Sequence, residues 1–231
     1  MDNNRTIAPP FFSIIIATFN RAKLLKRAID SLVAQTEVDW EAIIVDDEST
    51  DDTYSQILPY LLGNDKIKYL RKGHSGEVQS KNRGLHASSG KFISFLDSDD
   101  EYHPEHLKLR KRLLLQHPTV KFLHGGLEVI GSPYVPDRFD HSAKIHLKDC
   151  VVGGTFFIER DILLSLNGFS KISMGTDADL FERAKEAKIE MMKTNIPTYI
   201  YHHEIQDSLT NKILRAYNIY KMRIGLKEMP E

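Results

Sequence analysis

The segment KFISFLDSDDEYHPEHL, Lys91 to Leu107, runs from a bulky apolar stretch directly into four carboxylates within five residues, Asp97, Asp99, Asp100 and Glu101. Like charges a few ångströms apart repel, so such a cluster calls for a compensating cation or for raised pKa values. Asp97 and Asp99 stand two apart where a strand ends and the backbone turns, which lets both carboxylates face one hard cation with Asp100 close by. Mg2+ takes one or two protein carboxylates and completes its shell with substrate phosphates and water, so the spacing suits a divalent ion shared with a diphosphate. A solvated turn whose acids favour the dipole of the following helix is the other reading.

Four further clusters carry reactive residue types, each with a plainer alternative. Asp46 and Asp47 close the apolar run AIIVDD, where an acceptor-only carboxylate can receive the imide N–H of a uracil ring. Ser49 and Asp52 have capping-box spacing, so Ser49 through Asp52 serve equally as a helix start. Lys81 and Arg83, with Asn82 between them, are cations for phosphates or simply solvent-facing helix charges. Thr176 and Asp179 repeat the capping-box spacing and leave Asp177 in a first helical turn, as dipole partner or as general base. His202 and His203 follow a strand-like run; they form a polar loop, or one of them gives a nitrogen to the cation if the chain returns to the acidic rim. Two rivals for the acidic strand end fail on residues. A haloacid-dehalogenase-type phosphatase would want Thr or Val at Glu101, and an EF-hand loop would want Gly at Tyr102 and Glu at Lys108.

The elements that must hold these side chains are legible from periodicity. FFSIIIA, EAIIVDD, KIKYLRK and KFISFLD read as strands, and helices follow each, the first marked by Leu25, Ala28, Ile29 and Leu32 on one face and the last by Pro104 at its N1 position. Four such units in series predict an α/β fold with a mostly parallel central sheet flanked by helices on both faces. Ligands of such sheets bind outside the carboxyl ends of the strands, which puts Thr18 to Asn20, Asp46 to Asp52 and Asp97 to Asp100 on one rim. Beyond Pro118, VKFLHGGLEVIG and VVGGTFFI read as strands, the latter with a glycine pair, and Gly131 to Lys148 reads as loop. Asp177 to Ala187 reads as a helix, NIPTYIYHH as an edge strand because of Pro197, and Ser208 to Lys227 as a closing helix.

The 231 residues suit one domain, with about 11–117 as a nucleotide-binding half, 118–207 as an acceptor-binding half and 208–231 as a C-terminal helix. Lys plus Arg number 31 against 32 Asp plus Glu, so no global field draws the chain to nucleic acid or to an anionic bilayer. The single cysteine, Cys150, excludes an intrachain disulfide and fits a reducing compartment as a buried thiol. With neither a secretion signal nor a 20-residue apolar span, the expectation is a cytoplasmic protein, peripheral at most on the inner face of the membrane.

Four motifs in order, SIIIATFNRAKLLKRAIDSLVAQT, AIIVDDESTDDT, KNRGLHASSGKFISFLDSDD and LNGF followed by GTDADLFERA, resemble the family 2 glycosyltransferases of GT-A fold over roughly Phe12 to Tyr201. The resemblance implies an inverting transferase that moves a sugar from a nucleotide-diphosphate sugar, a UDP-sugar by expectation, to an acceptor hydroxyl of a glycan or lipid-linked acceptor in surface polysaccharide synthesis. It implies that Ala17, Thr18 and Asn20 line the nucleotide site with Lys81, that Asp46 reads the base, and that Asp97 touches ribose or phosphate. Asp99 would hold Mn2+ or Mg2+, with His203 as a further ligand. Asp177 would be the catalytic base, with Asp100, Arg183 and Gly154 on the acceptor side. Glu48 stands where the family usually has Gly, Lys81 where Arg is common, and Thr176 where a Glu precedes the catalytic Asp. That last departure leaves a non-catalytic sugar-nucleotide binding module as an alternative. A nucleotidyltransferase is weaker, for want of a Gly-rich N-terminal loop with a basic residue.

Overall fold

A computed structural model describes residues 8–137, 143–172 and 175–205. In chain order the elements are β1 (Phe12–Thr18), α1 (Ala22–Val33), β2 (Trp40–Asp46), α2 (Thr53–Gly63), β3 (Ile67–Arg71), α3 (Glu77–Ala87), β4 (Phe92–Phe95), β5 (Glu101–Tyr102) and α4 (His106–Gln116). There follow β6 (Phe122–His124), β7 (Leu127–Ile130), β8 (Tyr134–Pro136), β9 (Lys144–His146), β10 (Phe157–Glu159), α5 (Arg160–Ser165), α6 (Thr176–Glu186), β11 (Met191–Lys193) and β12 (Tyr199–His202). The expected closing helix from Ser208 lies outside the described residues.

The main sheet has the order β11-β6-β10-β4-β1-β2-β3, and only β10 runs against its neighbours. Alternation of side chains sorts β1 between two cores. Phe12, Ile14 and Ile16 pack with Leu25, Ala28, Ile29 and Leu32 of α1, Ile57 of α2 and Leu107 and Leu114 of α4. Ile15 faces the other way, with Leu85 of α3, Leu163 of α5 and Leu180 and Ala184 of α6. Helices therefore cover both faces, as the βα repeat predicts. Chain order reverses between β1 and β4, since β2 and β3 lie to one side of β1 and β4 to the other. The crevice beyond the carboxyl ends of those two strands is where such a sheet takes a ligand.

Several local expectations are corrected. Pro104 precedes α4 instead of opening it: His106 N–H donates to the His103 carbonyl at 2.8 Å, closing a tight turn before the helix starts. VKFLHGGLEVIG is two strands in two sheets, split at Gly125 and Gly126, whose φ of 86° and 81° lie in the left-handed region that ends a strand. Gly153 and Gly154 form a 3-10 turn with Thr155, and the strand begins only at Phe157. The segment read as loop contains the antiparallel pair β8 and β9. β12 is the middle strand of the sheet β5-β12-β7; Pro197 lies before it, so no ladder N–H is missing. Neither capping box forms, because the Ser49 hydroxyl accepts from Asn20 N–H at 2.9 Å and Gly175, in a left-handed conformation, precedes α6. No helix among the described residues is long and apolar enough to cross a membrane.

Candidate active site

A cavity of about 850 Å3 opens at the carboxyl ends of β1 and β4. Ala17, Thr18, Phe19 and Arg21 enter it after β1, Asp47 after β2, Ser75 to Lys81 from the start of α3, and Asp97 to Asp100 after β4. Asp177 reaches it from α6, and Val135, Ile145, Val151, Val152, Ile172 and Phe181 give the far wall an apolar lining. The acidic turn thus meets residues from both halves of the chain.

Charge in this cavity is arranged in pairs. Lys81 is 4% exposed, with Nζ 2.5 Å from Glu77 Oε1 and 3.1 Å from Asp97 Oδ1. Burial alone would discharge it, but Asp97, Glu77 and Asp177 outweigh burial and hold its pKa well above the ordinary lysine value. Asp99 Oδ2 lies 3.8 Å from Arg21 NH1, and its main-chain carbonyl accepts from Arg27. Burial, then the charge of Asp97, raises the Asp99 pKa against the opposing pull of Arg21. Asp177 Oδ2 accepts from Gly153 N–H at 2.8 Å. Burial raises its pKa too, with Lys81 acting in the opposite direction. A carboxylate that is costly to ionise yet held beside a cation is suited to take up a proton.

Of the residues singled out from sequence, Ala17, Thr18, Lys81, Asp97, Asp99, Asp100 and Asp177 come together at this cavity. The Thr18 hydroxyl is buried and finds no hydrogen-bond partner among the described residues. Asp100 borders the cavity with both oxygens engaged, by Tyr199 O–H at 2.7 Å and His202 N–H at 2.8 Å, so it fastens β12 to the acidic turn.

Asp47, Thr176 and His202 border the cavity as well, and the remaining candidates lie behind its lining. Asn20, at a φ of 52°, welds two loops by accepting Thr50 N–H at 2.8 Å. Asp46 accepts Ser49 N–H at 2.8 Å and the Tyr69 hydroxyl at 2.6 Å; its neighbour Asp47 fronts the cavity in its place, holding Ser75 and Gly76 N–H and the Lys72 ammonium. Arg183 pairs with Asp179 at 2.9 Å and donates to the Leu166 and Gly168 carbonyls, far from the acidic turn in role. Gly154 packs under the Tyr199 ring. The His203 ring nitrogen Nδ1 lies 2.6 Å from the Ser132 carbonyl and outside the cavity lining, whereas His202 borders the cavity between Glu101 and Glu204, each 2.6 Å away. Arg83 is exposed, the solvent-facing reading. Asn82 makes a two-way lock with the Phe169 main chain, both bonds at 2.9 Å.

Sequence reasoning passed over Arg21, Phe19 and Glu77. Glu77 carries a readable signal, the i,i+4 spacing to Lys81. Nothing local distinguishes Arg21 from any helix-start residue, and Phe19 is identified only by its ring, 4.4 Å from that of His74 at the cavity edge.

The Glycosyl transferase family 2 model matches residues 13–127. An Escherichia coli UDP-Glc:alpha-D-GlcNAc-diphosphoundecaprenol beta-1,3-glucosyltransferase is 31% identical over 65% of this chain and 61% of its own length. A Campylobacter jejuni GalNAc(5)-diNAcBac-PP-undecaprenol beta-1,3-glucosyltransferase is 30% identical over 95% of this chain and 73% of its own. The chain therefore spans about six-tenths of the first relative and about three-quarters of the second. Among solved structures, S. aureus TarS 1-349 with UDP-GlcNAc superposes with a TM-score of 0.70 at 19% identity, over 95% of this chain and 68% of that one. A mannosyltransferase from Pyrobaculum calidifontis with GDP-Man and Mn2+ gives 0.70 at 16% identity, over 96% and 66%.

Proposed function

We propose, for a chain that belongs to glycosyl transferase family 2 and has the GT-A fold, that it transfers a sugar from a UDP-sugar to a hydroxyl of a lipid-linked glycan with inversion at the anomeric carbon. The observation that carries this reading is the meeting of Asp97, Asp99, Lys81 and Asp177 at one cavity. The relatives' glucosyltransferase names and the UDP-GlcNAc bound by the structural neighbour support the donor class and the diphosphate-linked acceptor.

Thr18, whose hydroxyl has no partner among the described residues, and Asp47 front the nucleotide, with Phe19 as an aromatic surface for a planar base. Asp46 serves them from behind by fixing the loop. Lys81 holds Asp97 in place beside the phosphates. The residues fit a divalent cation: the Asp97 and Asp99 carboxylates both border the cavity, and oxygen donors of this kind suit Mg2+ or Mn2+. Asp99, with Asp97 alongside, would hold it; when bound it supplies Lewis-acid stabilisation to the departing diphosphate. Asp177 takes the proton of the acceptor hydroxyl as that oxygen bonds to the anomeric carbon and the bond to the diphosphate oxygen breaks on the opposite face, releasing UDP. The apolar wall from Val135 to Phe181 is the acceptor side.

Thr176, in the place of the expected Glu, favours a second reading, a module that binds the sugar nucleotide without turnover. UDP release separates the two: mixing the protein with UDP-Glc or UDP-GlcNAc, Mn2+ and a polyprenyl-diphosphate glycan should liberate UDP in an acceptor-dependent way, with the product's inverted anomeric configuration read by NMR. Binding without release would support the module, and release of pyrophosphate a nucleotidyltransferase.

A further inference from the structure

The carboxyl-terminal rim of the main sheet continues past the acidic turn. β10 runs against both β4 and β6, and β11 runs with β6, so β6 and β11 end at the same rim as β4. Their last residues, His124 and Lys193, are register partners and border a second cavity of about 160 Å3 with Gly125, Gly126, Lys148 and Asn195. Leu147, Cys150, Val151 and Val152 border both this cavity and the large one, and the turn they lead into carries the Gly153 N–H that holds Asp177. The volume falls short of the roughly 300 Å3 at which pockets for whole small molecules begin, but it admits a phosphate group.

Its charge is opposite to that of the large cavity. No Asp or Glu lines it among the described residues, and no ion pair among them engages Lys148 or Lys193. Against the glycine pair lies Arg110, wholly buried, which donates to the Gly125 carbonyl at 2.9 Å and to the Ile196 carbonyl at 3.3 Å. Its Nε and Nη1 have no hydrogen-bond partner among the described residues. A Cβ on Gly126 would collide with this guanidinium, so the head group sits directly against main chain that lines the cavity. Burial lowers the Arg110 pKa to about 10, which leaves it charged at neutral pH, and a buried charge without a counter-ion is costly. His124 offers nothing to offset it: burial, then Lys193, lowers its pKa to about 4, so the ring is neutral. Three cations thus gather at one small cavity whose described lining holds no anion.

We propose that this second cavity is an anion subsite for the acceptor, taking the phosphate next to the glycan while the glycan's hydroxyl lies at Asp177. Lys148 and Lys193 supply charge-assisted hydrogen bonds to the phosphate oxygens, and Arg110 supplies fixed charge from within the fold. Val151 and Val152, shared by the two cavities, border the path between them. The inference rests on the proposed transfer to a diphosphate-linked acceptor and adds where that diphosphate is held.

The test compares two acceptors that carry the same glycan, one on a polyprenyl diphosphate and one on a neutral octyl glycoside, for the unmodified protein and the double variant Lys148→Gln, Lys193→Gln. Both lysines are exposed, so the melting temperature should not change. KM for the diphosphate acceptor should rise by on the order of tenfold to a hundredfold, the worth of one or two hydrogen bonds to a charged group. KM for the neutral glycoside and for the UDP-sugar should stay as they are. Equal effects on both acceptors, or no effect on either, overturn the inference. Calorimetry with geranyl diphosphate, against geraniol as the neutral control and with UDP at saturation, gives a readout apart from turnover: the double variant should bind the diphosphate more weakly by a similar factor. Undiminished binding overturns the inference, whereas weakened binding in a protein that turns over neither acceptor upholds the subsite and defeats the transfer reading. Phosphatidylglycerol vesicles identify the other source of a phosphate. If the double variant loses vesicle binding but keeps its KM for the diphosphate acceptor, the cavity serves a membrane headgroup and the acceptor subsite is refuted.

Discussion

At the scale of single residues, the site separates groups by what already occupies them. Asp177 has one oxygen on Gly153 N–H and a pKa raised by burial, opposed by Lys81. Asp177→Asn keeps the shape and removes the proposed base, so acceptor-dependent UDP release should fall by on the order of 10^2 to 10^4 with UDP affinity little changed; calorimetry beside a release assay reads both. Normal turnover would reduce Asp177 to a helix-start residue. Lys81→Met takes away the cation that favours ionised Asp177, so the carboxyl pKa rises further and the acidic limb of kcat/KM should move to higher pH. A pH–rate profile checks this, and an unmoved limb would uncouple the two groups. Much at this scale was legible in sequence: the acids at Asp97 and Asp99 and the Asp at 177 declare themselves by spacing and order. The choice between Asp46 and Asp47, or between His202 and His203, was not. Adjacent residues differ only in which way a turning backbone points them, and that is decided by distant partners such as Tyr69 and Ser132.

At the scale of elements, two adjacent glycines show how a turn guards two different functions. A Cβ on Gly153 would sit 2.5 Å from Asp177 Oδ1, while one on Gly154 would enter the Tyr199 ring. The Asp177 carboxylate lines an open cavity and can yield, but Tyr199 is wholly buried and fastened to Asp100. Gly153→Ala should therefore cut turnover with little change in melting temperature. Gly154→Ala should cost about 1–3 kcal/mol by overpacking, a drop of several degrees for a domain of this size, and weaken Mn2+-dependent UDP binding through Asp100. Thermal melts and UDP titrations of the pair distinguish the two; matching losses in both variants would contradict this division. The long elements were readable because a 3.6-residue period on α1, or an unbroken apolar run in β2, leaves one solution. The three- and four-residue strands after Pro118 were not, since their partners are far along the chain and their limits are set by left-handed glycines such as Gly125 and Gly126.

At the scale of the whole molecule, the sheet keeps its chemistry and its fastening at opposite ends. Glu41, near the start of β2 and away from the cavity, accepts from Ser13 Oγ of β1 at 2.6 Å, from Lys68 of β3 at 2.6 Å, and from Ser89 N–H ahead of β4 at 2.7 Å. One carboxylate thus binds the four parallel strands at their amino ends. Burial works to raise its pKa, but Lys68, Ser13 and Ser89 overcome burial and pull it down to about 2. A folded-state pKa below the unfolded one means stability that is complete above the unfolded pKa and is lost as pH falls from about 4.5 towards 2. Glu41→Gln removes that contribution, so at neutral pH it should destabilise the fold by on the order of 2–3 kcal/mol. The gap between the two proteins should then close as the pH of urea melts is lowered through this window. Because the strand ends that hold Asp97 and Thr18 lie at the other edge of the sheet, UDP affinity at neutral pH should be unchanged in the folded variant. A stability gap independent of pH would show that Glu41 acts through packing alone, and a loss of UDP binding would show that the two edges are not independent.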